Sequence, residues 1–119
     1  LHNTIKITNS KTITMMDKIK SFLGFAAAPD YAEMVKNGAI ILDVRSPGEY
    51  AGGHIKGSKN IPVSDLAKQM SKLDKTKTII TCCASGARSG VAKAMLAANG
   101  FPEVYNGGAW NSLEGKIAE

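Results

Sequence analysis

Two short apolar runs do most to limit what this chain can fold into. Ala39-Ile40-Ile41-Leu42-Asp43-Val44 and Thr78-Ile79-Ile80-Thr81-Cys82 suit strands covered on both faces, as in a parallel sheet, rather than strands with one face in water. Helical patterns lie between and beside them. Asp30 can cap a helix through Tyr31, Met34 and Val35, which stops at Asn37-Gly38. Ser46-Pro47-Gly48-Glu49-Tyr50 turns into a brief helix with proline early. Asn60-Ile61-Pro62 reads as a short strand, and Ser64 with Asp65 as the start of a helix through Leu66, Met70 and Leu73. After residues 83–88 a further helix is expected through Val91, Ala94, Met95 and Ala98. Val104-Tyr105 then makes a last strand, followed by Asn106-Gly107-Gly108 and a closing helix near Trp110 and Leu113. Strands alternating with helices over short connections imply an α/β fold around a mostly parallel sheet. Ligands then bind at the carboxyl ends of the strands.

With 119 residues there is room for one domain. A hydrophobic share of 44% and a charged share of 21% belong to a globular chain, and no stretch approaches the roughly 20 apolar residues of a membrane span. The domain is assigned to residues 29–119. Residues 1–28 are an N-terminal extension, a tag or a poorly ordered lead-in, with Met16 resembling a natural start. Lys18 and Lys20 ahead of Phe22-Leu23-Gly24-Phe25 imitate a signal peptide only weakly.

The net charge of +5 raises the question of nucleic acid. Much of the excess sits in the first twenty residues, and Lys68, Lys72, Lys75 and Lys77 surround one helix and turn. No aromatic residues interleave with them as a base-stacking platform requires. No nucleic-acid or membrane partner is expected, and the positive field suits small anions. Nothing calls for an oligomer, so a monomer is expected.

The only cysteines, Cys82 and Cys83, are neighbours. Disulfide geometry disfavours a bond between them, and no framework of paired cysteines indicates an oxidising compartment. A cytoplasmic location is therefore expected ahead of secretion. Two cysteines and two distant histidines do not make a closed zinc site, so no metal is assigned.

Cysteine at the end of a buried strand, just before a helix, meets the loop N–H groups and the free donors of the first helical turn. The helix dipole adds partial positive charge. These influences favour thiolate over thiol. Gly86 permits a tight curl, and Arg88 brings a permanent charge. Cys83 thus becomes a nucleophile in an anion cradle that needs no general base, whereas Cys82 belongs to the strand with its side chain turned the other way.

The segment Cys83-Ala84-Ser85-Gly86-Ala87-Arg88-Ser89 resembles the active-site loop of rhodanese domains, C-x-x-G-x-R-S in many members. Ile41 to Tyr50, Gly53 to Pro62 and Gly107-Gly108-Ala109-Trp110 resemble three further signatures of that family, in order, over residues 30–115. The resemblance implies a rhodanese-like three-layer fold, with a sheet of about five strands flanked by helices on both faces. It also implies a sulfurtransferase that needs no metal or organic cofactor. Cys83 would take sulfur from an anionic donor such as thiosulfate and pass it, through a persulfide, to a thiol or cyanide. Ala84, Ser85, Gly86, Ala87, Arg88 and Ser89 would line the substrate site. Arg88 either holds the donor or is tied to a nearby carboxylate. Glu49 either pairs with a cation or caps a backbone. Asp43 and Arg45 are expected to brace the surrounding loops, His54 to anchor its loop or shuttle a proton, and Trp110 to form core or site wall.

Two rivals remain. Counted from Cys82 the segment is also C-x5-R-S, the spacing of cysteine-dependent phosphatases and arsenate reductases that share the fold. Gly86, three residues after Cys83, favours the shorter loop. Alternatively, the domain is a persulfide carrier serving a sulfur-relay partner protein, or a redox sensor.

Overall fold

The computed structural model describes residues 28–118. The expectations for the extension therefore lie outside the described residues, apart from Ala28 at its end. Helix α1 (Tyr31–Lys36) starts where the Asp30 carboxylate accepts the Glu33 N–H at 3.0 Å. Strand β1 (Ile40–Asp43) follows, then α2 (Pro47–Ala51) behind a reciprocal capping box between Ser46 and Glu49. Strand β2 is only Lys59–Asn60. Helix α3 (Leu66–Gln69) has a single 3-10 turn on either side, at Val63–Asp65 and Met70–Lys72. Strand β3 (Ile79–Cys83), helix α4 (Ala87–Ala98), strand β4 (Val104–Ala109) and helix α5 (Trp110–Ala118) complete the order.

The sheet is parallel throughout, in the order β2-β1-β3-β4. The described residues contain four strands, not about five. All five residues of β3 are buried, as the apolar run requires of a strand with neighbours on both edges and layers on both faces. Alternate side chains feed two cores. Leu42, Val44, Ile79 and Cys83 pack with Leu66, Met70, Ala92, Leu96 and Phe101 on one face. Ile41, Ile80 and Cys82 pack with Tyr31, Ile55 and Leu113 on the other.

Four local expectations change. The short strand stops at Asn60: Ile61 and Val63 still donate to Asp43 and Val44 carbonyls, but Pro62 has no N–H and interrupts the ladder. The helix expected from Ser64 breaks into 3-10 and α turns because neither Pro62 nor Asp65 caps through its side chain. Leu66, Met70 and Leu73 are nevertheless buried. Helix α4 turns Ser89, Ala92 and Leu96 to the sheet and leaves Val91 56% exposed, with Ala94 and Ala98 also outward. The Thr81 hydroxyl donates to the Ser89 backbone carbonyl at 2.8 Å on this face, and Leu96 is fully buried beside it. Finally, strand β4 continues past Tyr105 through Asn106-Gly107-Gly108 to Ala109. A Cβ on Gly107 would lie 2.8 Å from Leu113 Cδ2 and 3.0 Å from the Thr81 carbonyl oxygen; glycine lets β4 press against β3 and α5.

Candidate active site

At the carboxyl end of the sheet, Cys83 is the last residue of β3, one residue further along the strand than the sequence boundary at Cys82. Its side chain is fully buried. The Gly86 N–H donates to Cys83 Sγ at 2.9 Å, and the Ser89 N–H approaches the same sulfur at 3.4 Å. The Ser89 hydroxyl also lies 3.4 Å away. Gly86 adopts φ +104°, the left-handed region, as the residue capping α4. That conformation turns the chain from strand to helix in three residues while aiming the Gly86 N–H back at the sulfur. The twelve-residue helix presents its positive end to the same point.

Electrostatics follow from this geometry. Burial pushes the Cys83 thiol up, but its hydrogen-bond contacts with Ser89, Gly86 and Ser85 outweigh it and leave the thiol below its ordinary value. Its neighbour behaves in the opposite way. Burial, then the nearby Asp43 carboxylate, pushes Cys82 up to about 12. Cys82 sits on the other face of the sheet among Ile41, Ile80 and Leu113, with no cradle of N–H groups.

Ala84, Ser85 and Ala87 are exposed around the loop, and Ser89 is buried beneath it. Arg88 stands at the rim, where its guanidinium grips Glu49 through two hydrogen bonds of 2.8 and 3.0 Å. Glu49 therefore both pairs with a cation and caps α2; Arg88, then the Ser46 N–H, hold its carboxyl down at about 2. Asp43 and Arg45 form a buried ion pair of 2.7 Å. Arg45 also donates to the Gly53 carbonyl at 2.7 Å and the Glu49 carbonyl at 3.3 Å, and it lies 4.7 Å from the centre of the Trp110 ring. These two residues brace the loops and make no hydrogen bond to the sulfur. His54 is exposed, holds the Tyr50 carbonyl at 2.7 Å through Nδ1 and stacks on the Tyr50 ring. That is an anchor of its loop, with no hydrogen bond to residues 83–89.

One residue of the site escaped the sequence reading. Asn106 Nδ2 donates to the Gly86 carbonyl at 3.1 Å, while its Oδ1 lies 2.6 Å from Ser89 Oγ and accepts the Gly108 N–H at 2.9 Å. It ties the loop, α4 and β4 together. The only sequence signal was a polar residue directly before the glycine pair.

The comparisons agree with the geometry. The profile of the rhodanese-like domain matches residues 27–111. Protein YqhL of Bacillus subtilis is 40% identical over 80 residues, which are 66% of this chain and 64% of that protein. The chain thus spans a little under two thirds of that relative's length. Thiosulfate sulfurtransferase GlpE of Ectopseudomonas mendocina is 38% identical over 74 residues, 62% of this chain and 68% of the relative. Among solved structures, "rhodanese with anions from E. coli" superposes with a TM-score of 0.59 at 32% identity, covering 62% of this chain and 89% of that one. The reduced Bacillus anthracis CoADR-RHD structure gives a TM-score of 0.64 at 33% identity over 83% of this chain, although only 18% of that longer chain is covered. Fold, loop and relatives agree: this chain belongs to the rhodanese-like domain family.

Proposed function

We propose that the domain is a sulfurtransferase that carries sulfane sulfur on Cys83. The observation that carries this reading is the pair of sulfurs on opposite faces of one strand. Cys83 sits in a cradle of N–H donors that favours the thiolate, while the Cys82 thiol is held protonated near 12. The Cys83 thiolate attacks the outer sulfur of an anionic donor such as thiosulfate. The S–S bond of the donor breaks, and sulfite leaves with the electron pair. Loop N–H groups from Ala84 to Ser89 receive the negative terminal sulfur of the persulfide. An acceptor thiolate or cyanide then attacks that sulfur and releases Cys83 as thiolate. These are two half-reactions with a covalent intermediate, and ping-pong kinetics are expected. Arg88 offers the charge that attracts the donor, with Ser85 and Ser89 as polar neighbours, and Asp43, Arg45 and His54 hold the surrounding loops.

Carriage of the persulfide to a partner protein is the second reading. It is favoured by the apolar flank beside the loop, where Ala87, Val91 and Ala94 are all exposed on α4.

Intact mass spectrometry after incubation with thiosulfate tests the proposal on the parent chain, Cys83→Ala and Cys82→Ala. A gain of about 32 Da, one sulfur, that requires Cys83 and not Cys82 is expected. An adduct that requires Cys82, or hydrolysis of a phosphate ester with no adduct, would transfer the assignment to the phosphatase-like register.

A further inference from the structure

The hydrogen bonds around Ser89 carry a directional constraint. Asn106 can be oriented in only one way: its Oδ1 accepts the Gly108 N–H and its Nδ2 donates to the Gly86 carbonyl, so a flipped amide would oppose donor to donor and acceptor to acceptor. Gly90 makes room for it, since a Cβ there would stand 3.3 Å from Nδ2. Facing this fixed acceptor at 2.6 Å, the Ser89 hydroxyl gives its one hydrogen to Oδ1. Ser89 is fully buried, out of reach of solvent. Only lone pairs of Ser89 Oγ are left for the sulfur 3.4 Å away, and the Cys83 S–H is the donor of that contact.

We propose that Asn106 is a positioning residue for Cys83: by holding the Ser89 hydrogen it favours the thiol form, against the pull of the backbone donors, and Ser89 must swing from Asn106 to the sulfur before it can serve the thiolate or persulfide. On ionisation the thiol proton leaves to solvent. The hydroxyl then turns its hydrogen to the sulfur, and Oδ1 keeps the Gly108 N–H alone. The sulfur's reactivity is thus set by a two-position hydroxyl as well as by backbone donors. The other ionisable or charged groups around Cys83 are Arg88 of α4, paired with Glu49 of α2, and Cys82, Asp43 and Arg45 towards the other face. Tyr31 reaches the Asn106 backbone carbonyl at 3.3 Å. The apolar side chains of the Cys83 core complete its surroundings.

The inference rests on Cys83 being the nucleophile, but its test reads protonation and not sulfur transfer. In a Cys82→Ala background, thiolate formation is followed by alkylation rate with iodoacetamide against pH for Asn106→Ala, Ser89→Ala and the double variant. Loss of the Asn106 acceptor should lower the Cys83 pKa by about one unit, about tenfold more thiolate below both values. The shift should vanish when Ser89 is alanine. An upward shift, or the same shift in both backgrounds, would overturn the proposal and leave Asn106 as a loop tether only. Should Asn106→Ala fail to fold, the S–H stretching band at acid pH decides. Ser89→Ala moves it towards a free thiol if Ser89 is the acceptor, and an unmoved band refutes the arrangement. A protein that shows the Ser89-dependent shift yet takes no sulfur from thiosulfate would sink the transfer reading and keep this one.

Discussion

Gly86→Ala puts the cradle under strain in a way that can be worked out in advance. Gly86 stands at φ +104°, and an added Cβ would lie 3.4 Å from Gly108 Cα, an ordinary contact. The cost is therefore conformational rather than steric, about 1–3 kcal/mol for a side chain held in that region. Two responses are open to the loop. If it keeps its shape, the strain appears in stability, and the melting temperature of a domain this size falls by roughly 10 °C. If it relaxes, the Gly86 N–H leaves its position 2.9 Å from the sulfur. A hydrogen bond to a charged group is worth about 1.5–3 kcal/mol, so the Cys83 pKa rises by about one to two units. The loss is expected in one readout or divided between them. Thermal melting and the pH dependence of Cys83 alkylation, in a Cys82→Ala background, measure both. Gly48→Ala, whose methyl meets nothing within 4 Å, is the control. Parent values in both assays for Gly86→Ala would refute the claim that the left-handed cap shapes the cradle.

Two further outcomes are expected. Asp43→Ala leaves the buried Arg45 guanidinium without its carboxylate, and removal of one partner of a buried pair costs about 3–5 kcal/mol; a urea-unfolding loss below about 1 kcal/mol would mean that the Gly53 and Glu49 carbonyls suffice. Glu49→Gln releases Arg88 from its half-exposed partner, so the KM for thiosulfate should fall several-fold, less so at high salt, and an unchanged KM would remove Arg88 from donor binding. The pH dependence of that pair has a definite sign. Because the Glu49 carboxyl is held down at about 2, its contribution is present above the ordinary carboxylate value and is lost only as pH falls towards 2. The parent's KM should therefore show no break from Glu49 between about pH 5 and 8.

What could be read from the chain was whatever is local. The runs at 39–44 and 78–82 announced a covered parallel sheet because burial on both faces leaves no polar alternation to hide them. Gly86 announced the loop because few other residues accept its backbone. The preference for Cys83 over Cys82 rested on Gly86, three residues after Cys83, and alternation along the strand only turned Cys82 the other way. Contacts between distant elements left no such mark. Arg88 and Glu49 meet across 39 positions, and nothing in either neighbourhood names the other. Asn106 stood out only as a polar residue before two glycines. Its amide became the hub only once β4 lay beside β3 with Gly107 pressed into the sheet. Helix α4 was legible as an element, but its inner face was not, because the Thr81–Ser89 bond joins it to β3 through a backbone carbonyl that no side-chain pattern marks.

The back-to-back placement of the two cysteines has a consequence for how the domain could be discharged. A thiolate within reach of a loaded sulfur can attack and remove it. Here the nearest thiol in sequence lies behind the sheet, in a separate core and protonated at neutral pH. The strand acts as a partition between them. In the proposed reaction, a sulfur loaded on Cys83 would have no exit through Cys82, so its lifetime would be set by the molecules that reach the loop from outside.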